Sequence, residues 1–310
     1  METLKKNDVL TGQVVDLTHE GHAVVKIDRY PIFIPNALID ETIEYKVIKV
    51  KKNFAIGKLI KVITESDERV EPPCIYYYKC GGCQLQHMSY QAQLNMKKEQ
   101  VVNLFHRKSN FTNTVIKDTV GMEEPWRYRN KSQIPVGLSK DQLPIMGFYR
   151  QRSHDIIDMD SCLIQDQQHQ QVMNDVKQLI SDLNISVYNE KTKKGLLRHL
   201  VVRTGHYTNQ LMIILVTNGK AFKQAQVMVD ALVRKYPNVT SIKQNINDAH
   251  SNVIMGHQSI TLYGEEEIKD QLNEVTFNIS DQSFYQINSH QTEKLYQQAL
   301  DYAPVSYTNL

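Results

Sequence analysis

All four cysteines of the chain fall into one pattern that could hold a metal. Cys74, Cys80 and Cys83 lie within ten residues of one another, and Cys162 follows far downstream. Two-residue spacing lets a tight turn direct two thiolates at one centre, and the two glycines between Cys80 and Cys83 give that turn its backbone freedom. Zinc fits four thiolates, and so does an iron–sulfur cluster. Three clustered cysteines with a distant fourth favour the cluster.

A second group with chemical meaning is a run of lysines. Between residues 44 and 61 the chain has six lysines against one glutamate. Lysines along two neighbouring strands suit contact with phosphates. We predict RNA contacts at four of them: Lys49, Lys51, Lys52 and Lys58. The alternative is that these lysines only solvate an outer face and protect a sheet edge.

Further basic residues are interleaved with aromatic ones. Arg127, Arg129 and Lys131 are expected to alternate along one strand and so to share one face. Arg198 and Arg203 belong to another strand-like run. Basic side chains among aromatic rings suit single-stranded RNA, where arginine meets phosphate and bases stack on rings. The alternative is an ordinary amphipathic strand with its arginines in water.

The elements that position these residues can be read from the hydrophobic pattern. Residues 1–65 contain five short β-branched runs separated by turn residues, which predicts a small barrel of the oligonucleotide-binding kind. The cysteine segment, 66–89, follows, and a helix is predicted within 90–118. Strands and helices then alternate over 119–268, as in an α/β domain. In 269–310 we predict a strand at 275–279 and a helix that starts at Asn288.

Composition and charge exclude some classes of protein. The chain is 41% hydrophobic and 23% charged, with a formal net charge of +2, which is ordinary globular composition. No apolar run approaches the roughly 18 residues of a membrane span, and the first residues lack the apolar stretch of a secretory signal. We therefore expect a cytoplasmic protein that has no contact with a membrane.

Taken together, these segments resemble a known family, the ribosomal RNA uracil-C5 methyltransferases that carry an iron–sulfur cluster. The resemblance runs over essentially the whole chain in the family's order. It is carried by CIYYYKCGGCQLQHMSYQAQL, WRYRNKSQIPV, GFYRQRSHDIIDMDSCLIQ, LLRHLVVRTG and SFYQINSHQTEKLYQQAL.

The resemblance implies a multidomain fold: an N-terminal all-β TRAM barrel that grips RNA, a central α/β iron–sulfur domain, and the start of a Rossmann-like methyltransferase domain. It implies a structural 4Fe-4S cluster on the four cysteines and S-adenosyl-L-methionine as methyl donor. The implied partner is a uracil-containing loop of 23S-type ribosomal RNA, bound by a monomer. Gln286 would help to form the cofactor site, and Phe284 would lie near the flipped nucleotide. Without the resemblance, a strand-to-helix junction with a buried aromatic is the simpler interpretation.

The sequence also departs from the family's pattern. The glycine-rich cofactor loop, the nucleophilic cysteine and the general-base glutamate are not found. Methylation at C5 needs a thiolate that attacks C6 and a base that removes the C5 proton. We therefore expect an N-terminal part of such an enzyme, inactive alone, whose last strand and helix expose Leu295, Tyr296 and Leu300. The alternative is a stand-alone RNA-binding module with a structural metal site.

Overall fold

A computed structural model describes residues 4–108 and 114–303 of the chain. The chain forms two compact units, Met1–Gly121 and Met122–Leu310. The predicted segments 1–65, 66–89 and 90–118 lie in the first unit. The predicted segment 119–268, apart from its first three residues, and the segment 269–310 share the second.

The first unit begins with a closed barrel, as predicted. Its strands follow the order β1-β2-β3-β5-β4, with β3 and β5 parallel and every other neighbouring pair antiparallel. Alternate residues of the fourth strand point into the barrel, so Ile43, Tyr45 and Val47 are buried while their neighbours are not. The strands are β1 (Val9–Leu17), β2 (Ala23–Ile27), β3 (Tyr30–Ile34), β4 (Thr42–Val50) and β5 (Ala55–Thr64).

The segment after the barrel is held to it by a buried ion pair. Glu41 is fully buried, and its carboxylate accepts hydrogen bonds from Arg69 (2.8 Å from Nη2 to Oε2) and from the backbone N–H of Leu38 (2.8 Å). Helix α1 (Tyr90–Lys108) follows, which confirms the helix predicted there. Two apolar residues of this helix, Val101 and Phe105, are 40% and 37% exposed.

The second unit is built on a seven-stranded mixed sheet in the order β12-β11-β10-β9-β6-β7-β8. Only β10 and β11 are parallel; the other neighbouring pairs are antiparallel. The strands are β6 (Lys131–Leu138), β7 (Pro144–Tyr149), β8 (Ile156–Asp158), β9 (Leu197–Thr204), β10 (Leu211–Thr217), β11 (Val239–Ile246) and β12 (Gln258–Gly264).

Both faces of this sheet are covered. Helices α2 (Gln167–Asp182) and α3 (Ala225–Lys235) contribute apolar residues to a core that includes Leu200 and Ile213. The hairpin of β13 (Ile268–Leu272) and β14 (Val275–Ile279) packs through Ile268 and Ile279 on Val201 and Ile214. Because side chains alternate along a strand, these two clusters lie on opposite faces. The last element is α4 (Ser289–Tyr302).

Two expectations about the elements are corrected. Strand β6 begins only at Lys131, Arg127 has a left-handed backbone (φ +55°), and Arg129 makes a single bridge with Gln165. The three basic residues therefore do not alternate along one strand. The strand Val275–Ile279 is real, but it pairs with β13 and packs on the central sheet rather than standing alone.

The predicted start and exposure of the last helix are confirmed. Asn288 is its N-cap, with Oδ1 accepting from the N–H of Gln291. Leu295, Tyr296 and Leu300 are 60%, 41% and 45% exposed. In the ranges described, no helix is long and apolar enough to cross a membrane.

Candidate functional site

The loop between β14 and α4 is fixed at its start by a buried arginine. Arg203 lies on β9, and its Nη1 donates to the carbonyl oxygens of Ser280 (2.6 Å) and Asp281 (3.2 Å). Burial lowers the pKa of this guanidinium to about 10, and Asp281 opposes that shift. Arg203 thus stabilises two consecutive carbonyl groups of the loop.

The end of the same loop is fixed by Asn130. The backbone N–H of Asn130 donates to the carbonyl of Ile287 at 3.0 Å, and its Nδ2 donates to the carbonyl of Gln286 (2.9 Å) and to Ser289 Oγ (3.0 Å). Gln286 is half-buried with its main chain held in one place. A residue that must present its side-chain amide to a cofactor would need such a backbone.

Tyr285 anchors the middle of the loop to the β13–β14 hairpin. Its hydroxyl donates to Asp270 Oδ2 at 2.9 Å, and the buried Asp270 also accepts from the N–H of Tyr207 through Oδ1 at 2.9 Å. Burial, together with the Asp270 carboxylate, raises the pKa of Tyr285 well above its ordinary value. The hydroxyl therefore stays protonated and keeps this hydrogen bond.

Phe284 is the exception in this well-anchored loop, because its side chain is 85% exposed. This corrects the simpler interpretation of a junction with a buried aromatic. The backbone on both sides of Phe284 is anchored, so its exposed ring is presented to solvent from a fixed place in the chain. A free aromatic face can stack on a nucleobase.

Burial rules out direct RNA contact for Arg198 and Arg203 in this arrangement, and this corrects their predicted role. They are 2% and 3% exposed. Arg198 Nη1 donates to the carbonyls of Asn247 (2.7 Å) and Ala249 (2.8 Å), and its guanidinium lies 4.3 Å from the ring centroid of Tyr188. Both arginines donate hydrogen bonds to carbonyl groups of loops from inside the fold.

The three other basic residues predicted to contact RNA in the second unit are Arg127, Arg129 and Lys131, and their surroundings differ. Arg127 is exposed, although its Nη1 donates to the carbonyls of Cys162 (2.9 Å) and Gln165 (3.3 Å). Arg129 is half-buried, and its Nε has no hydrogen-bond partner among the described residues. Burial and the charges of Arg203 and Arg129 lower the pKa of Lys131. Positive charges are crowded in this cationic region, and a bound anion would offset their mutual repulsion.

The lysines of the barrel lie on its outside. Lys49, Lys51, Lys52 and Lys58 are all exposed. The register of β4 and β5 also places Lys46 directly opposite Lys58. Like charges facing each other across a ladder destabilise a sheet. We call the six lysines of these two strands and their connection the lysine ribbon: Lys46, Lys49, Lys51, Lys52, Lys58 and Lys61. Their mutual repulsion does not stabilise the barrel, whereas their charge favours binding of a polyanion.

Three of the four cysteines share one loop of the first unit. Cys80 is buried, while Cys74 and Cys83 are half-buried. The N–H of Gly82 donates to Cys80 Sγ at 3.3 Å. Burial raises the pKa of the Cys80 thiol, with the hydrogen bond from Gly82 acting in the opposite direction. Thiols and an N–H···S bond suit a thiolate-bound metal.

Convergence of the ligands is a separate matter from their chemistry. Within residues 4–108 and 114–303, no three His, Cys, Asp or Glu side chains are gathered as a metal ion would require. Cys162 is half-buried in the second unit, where its carbonyl accepts from Arg127 and from Gln170 Nε2. The metal therefore remains a prediction of the sequence.

A buried polar group beside Cys162 was not expected. His169 is almost fully buried; its Nδ1 lies 2.7 Å from Ser132 Oγ and its Nε2 2.7 Å from Thr204 Oγ1. Burial lowers the pKa of His169 to about 4. With Cys162, His169 and Ser132 line a small cleft. Its residues come from distant parts of the chain, so no sequence pattern could have revealed it.

Comparison with known proteins places this fold in a class. No family model matches the chain. It is 74% identical over 306 residues to an uncharacterized RNA methyltransferase of Staphylococcus epidermidis, covering 99% of this chain and 67% of that protein. A counterpart from Staphylococcus aureus is 69% identical, with 68% of its length covered.

A solved structure agrees with these relatives. Pyrococcus abyssi tRNA (uracil-54, C5)-methyltransferase, in complex with S-adenosyl-L-homocysteine, superposes with a TM-score of 0.72 at 25% identity. The match covers 95% of this chain and 65% of that one. The chain thus has the fold of a solved RNA methyltransferase. The chain belongs to the RNA methyltransferase family of the staphylococcal proteins, and it spans about two thirds of their length.

Proposed function

We propose that this chain is the RNA-binding part of an enzyme that methylates C5 of uracil in ribosomal RNA with S-adenosyl-L-methionine as donor. The observation that carries the proposal is Phe284, whose ring is 85% exposed on a loop anchored by buried hydrogen bonds. An exposed ring carried on an anchored backbone is suited to stack on a base taken out of its helix.

The lysine ribbon supports the same proposal from the first unit. Its exposed ammonium groups would contact phosphates without regard to sequence. The RNA we propose is a uracil-containing loop of 23S-type ribosomal RNA, bound by one copy of the chain. In the second unit, Arg129 and Lys131 form the crowded cationic region where a phosphate would be favoured.

The methyl-transfer chemistry limits what this chain does alone. Attack on C6 of the uracil requires a free thiolate. We propose that all four cysteines ligate a 4Fe-4S cluster, so none would be left as a nucleophile. S-adenosyl-L-methionine supplies the methyl group when bound, and Gln286 is the residue of this chain that we propose lies beside it. We expect the 310-residue chain to bind RNA without methylating it.

Anaerobic purification followed by metal analysis tests the cluster. We expect about four irons and four sulfides per chain, and a broad absorption band from thiolate-to-iron charge transfer. Substitution of Cys83→Ser should abolish iron binding, whereas Ser89→Ala, a few residues away, should not. One zinc per chain without iron would contradict the cluster and support the stand-alone module with a structural metal site.

Binding of a fluorescent single-stranded RNA tests the role of Phe284. We expect Phe284→Ala to weaken binding about tenfold, in line with the loss of one stacked base, and Phe284→Tyr to bind like the wild type. Tyr302→Ala is the matched control, because Tyr302 is 62% exposed on α4, away from the loop. Equal losses at Phe284 and Tyr302 would contradict a specific stacking role.

A further inference from the structure

A buried ion pair lies at the start of the Phe284 loop. Lys243 on β11 places Nζ 3.0 Å from Asp281 Oδ1, and the two side chains are 8% and 7% exposed. Ser259 on β12 donates to the other carboxylate oxygen, Oδ2, at 2.5 Å. Both oxygens of Asp281 therefore have a partner inside the fold.

Stability alone does not account for this pair. Moving two charges out of water is costly, and apolar residues of similar volume are often as stable or more so. Removing one partner is harmful because it leaves the other charge buried and alone. A buried pair is therefore best explained by what it holds in place. Here the pair holds Asp281, a residue of the loop between β14 and α4.

Asp281 is held from its main chain as well as from its side chain. Arg203 donates to its carbonyl and to that of Ser280. Ser280 and Ser283 exchange hydrogen bonds, with each backbone N–H donating to the other hydroxyl oxygen at 3.0 and 3.1 Å. Gln282 Nε2 donates to the carbonyl of Gly256 at 3.1 Å. The four residues before Phe284 thus have few alternative conformations.

We infer that Lys243, Asp281 and Arg203 are positioning residues that hold the exposed ring of Phe284 ready to stack on an RNA base. The inference rests on the proposed function and adds residues that do not touch RNA. A backbone that is ordered before binding loses little conformational freedom when the base arrives, so more of the stacking energy of the ring it carries appears as affinity.

A double-mutant cycle tests this inference. The neutral pair Lys243→Met/Asp281→Asn removes both charges and leaves neither one buried alone. We measure the dissociation constant for a single-stranded uracil-containing RNA labelled with 2-aminopurine, for this variant in the Phe284 and the Phe284→Ala backgrounds. We expect a loss of roughly threefold to tenfold with Phe284 present and no further loss with Phe284→Ala, because coupled residues are not additive. Lys243→Arg keeps the charge and should bind like the wild type.

A milder variant covers the case in which the neutral pair does not fold. Ser259→Ala removes one hydrogen bond to Asp281 and leaves the ion pair intact. It should give a smaller loss of affinity that again disappears in the Phe284→Ala background. Circular dichroism at the assay temperature shows that each variant is folded.

The possible results separate the inference from the proposed function. Equal losses in both backgrounds would overturn the inference, since the residues would then act on folding rather than through Phe284. No effect of Phe284→Ala would overturn the inference together with the stacking role of Phe284 that carries the proposed function, even if RNA still bound through the lysine ribbon. Failure of the wild-type chain to bind RNA would overturn both.

Discussion

His199, on β9, shows at the scale of one residue how the core constrains charge. It is 7% exposed, and its Nδ1 has no hydrogen-bond partner among the described residues. Burial and the neighbouring Arg198 charge lower its pKa to about 4, against 6.5 for an ordinary histidine. The residue is therefore neutral in the folded chain at neutral pH.

This burial predicts how stability depends on pH. Between pH 6.5 and pH 4 the unfolded chain takes up a proton at His199 that the folded chain does not, so stability should fall as the pH falls through this range and level off below it. His169, also buried and neutral, contributes in the same direction. Urea unfolding at several pH values should show a shallower loss for His199→Gln than for the wild type. Identical slopes would contradict a buried, neutral His199.

In the β7–β8 hairpin, the backbones of the two strands approach each other closely at Gly147. A Cβ added at Gly147 would lie 2.0 Å from the carbonyl oxygen of Ile157, which belongs to the partner strand and cannot move without breaking the ladder. A Cβ added at Gly137, on β6, would meet only the ends of flexible isoleucine side chains. The two glycines therefore make a matched pair.

We predict that Gly147→Ala destabilises the chain by about 2 kcal/mol or more, as overpacking does, and that Gly137→Ala costs clearly less. The displaced β8 leads into the Cys162 segment, so amide exchange should also rise around Asp158 and Met159 in the Gly147 variant. Thermal unfolding and hydrogen exchange provide the two measurements. Equal destabilisation by the two variants would contradict the close approach at Gly147.

Elements with a clear apolar pattern could be predicted from the sequence. The barrel strand β4 alternates, and β10 is a nearly continuous apolar run between turn residues. Strand β11 was missed because Lys243, Gln244 and Asn245 interrupt its pattern, although all three are buried and hydrogen-bonded in the fold. Polar residues whose partners are distant in sequence hide a buried strand.

The candidate site was only partly visible for a related reason. The sequence marked Phe284, Gln286 and the lysines, but exposure is a tertiary property. The basic residues predicted to contact RNA include exposed Lys49 and buried Arg203. Pairing of Asp281 with Lys243, 38 residues earlier, could not be inferred from spacing.

At the scale of the whole molecule, each described unit carries a surface that is a candidate for RNA contact. The first has the lysine ribbon on the outside of its barrel, and the second has Phe284 in the middle of an anchored loop, with Arg129 and Lys131 as a further cationic region. The ribbon would supply affinity through phosphates, and the ring would recognise an unstacked base. The two contributions should differ in their response to salt, because only phosphate contacts release counterions.

The most direct test of this account is the affinity of the chain for a labelled uracil-containing RNA, measured by anisotropy across a range of salt concentrations. We predict saturable binding whose affinity falls steeply with salt. Lys49→Gln/Lys58→Gln should reduce the slope of log affinity against log salt by about 1.4, or about 0.7 per phosphate contact, while Phe284→Ala should lower affinity and leave the slope unchanged. Binding that is absent, or that does not respond to the two lysines, would contradict the account.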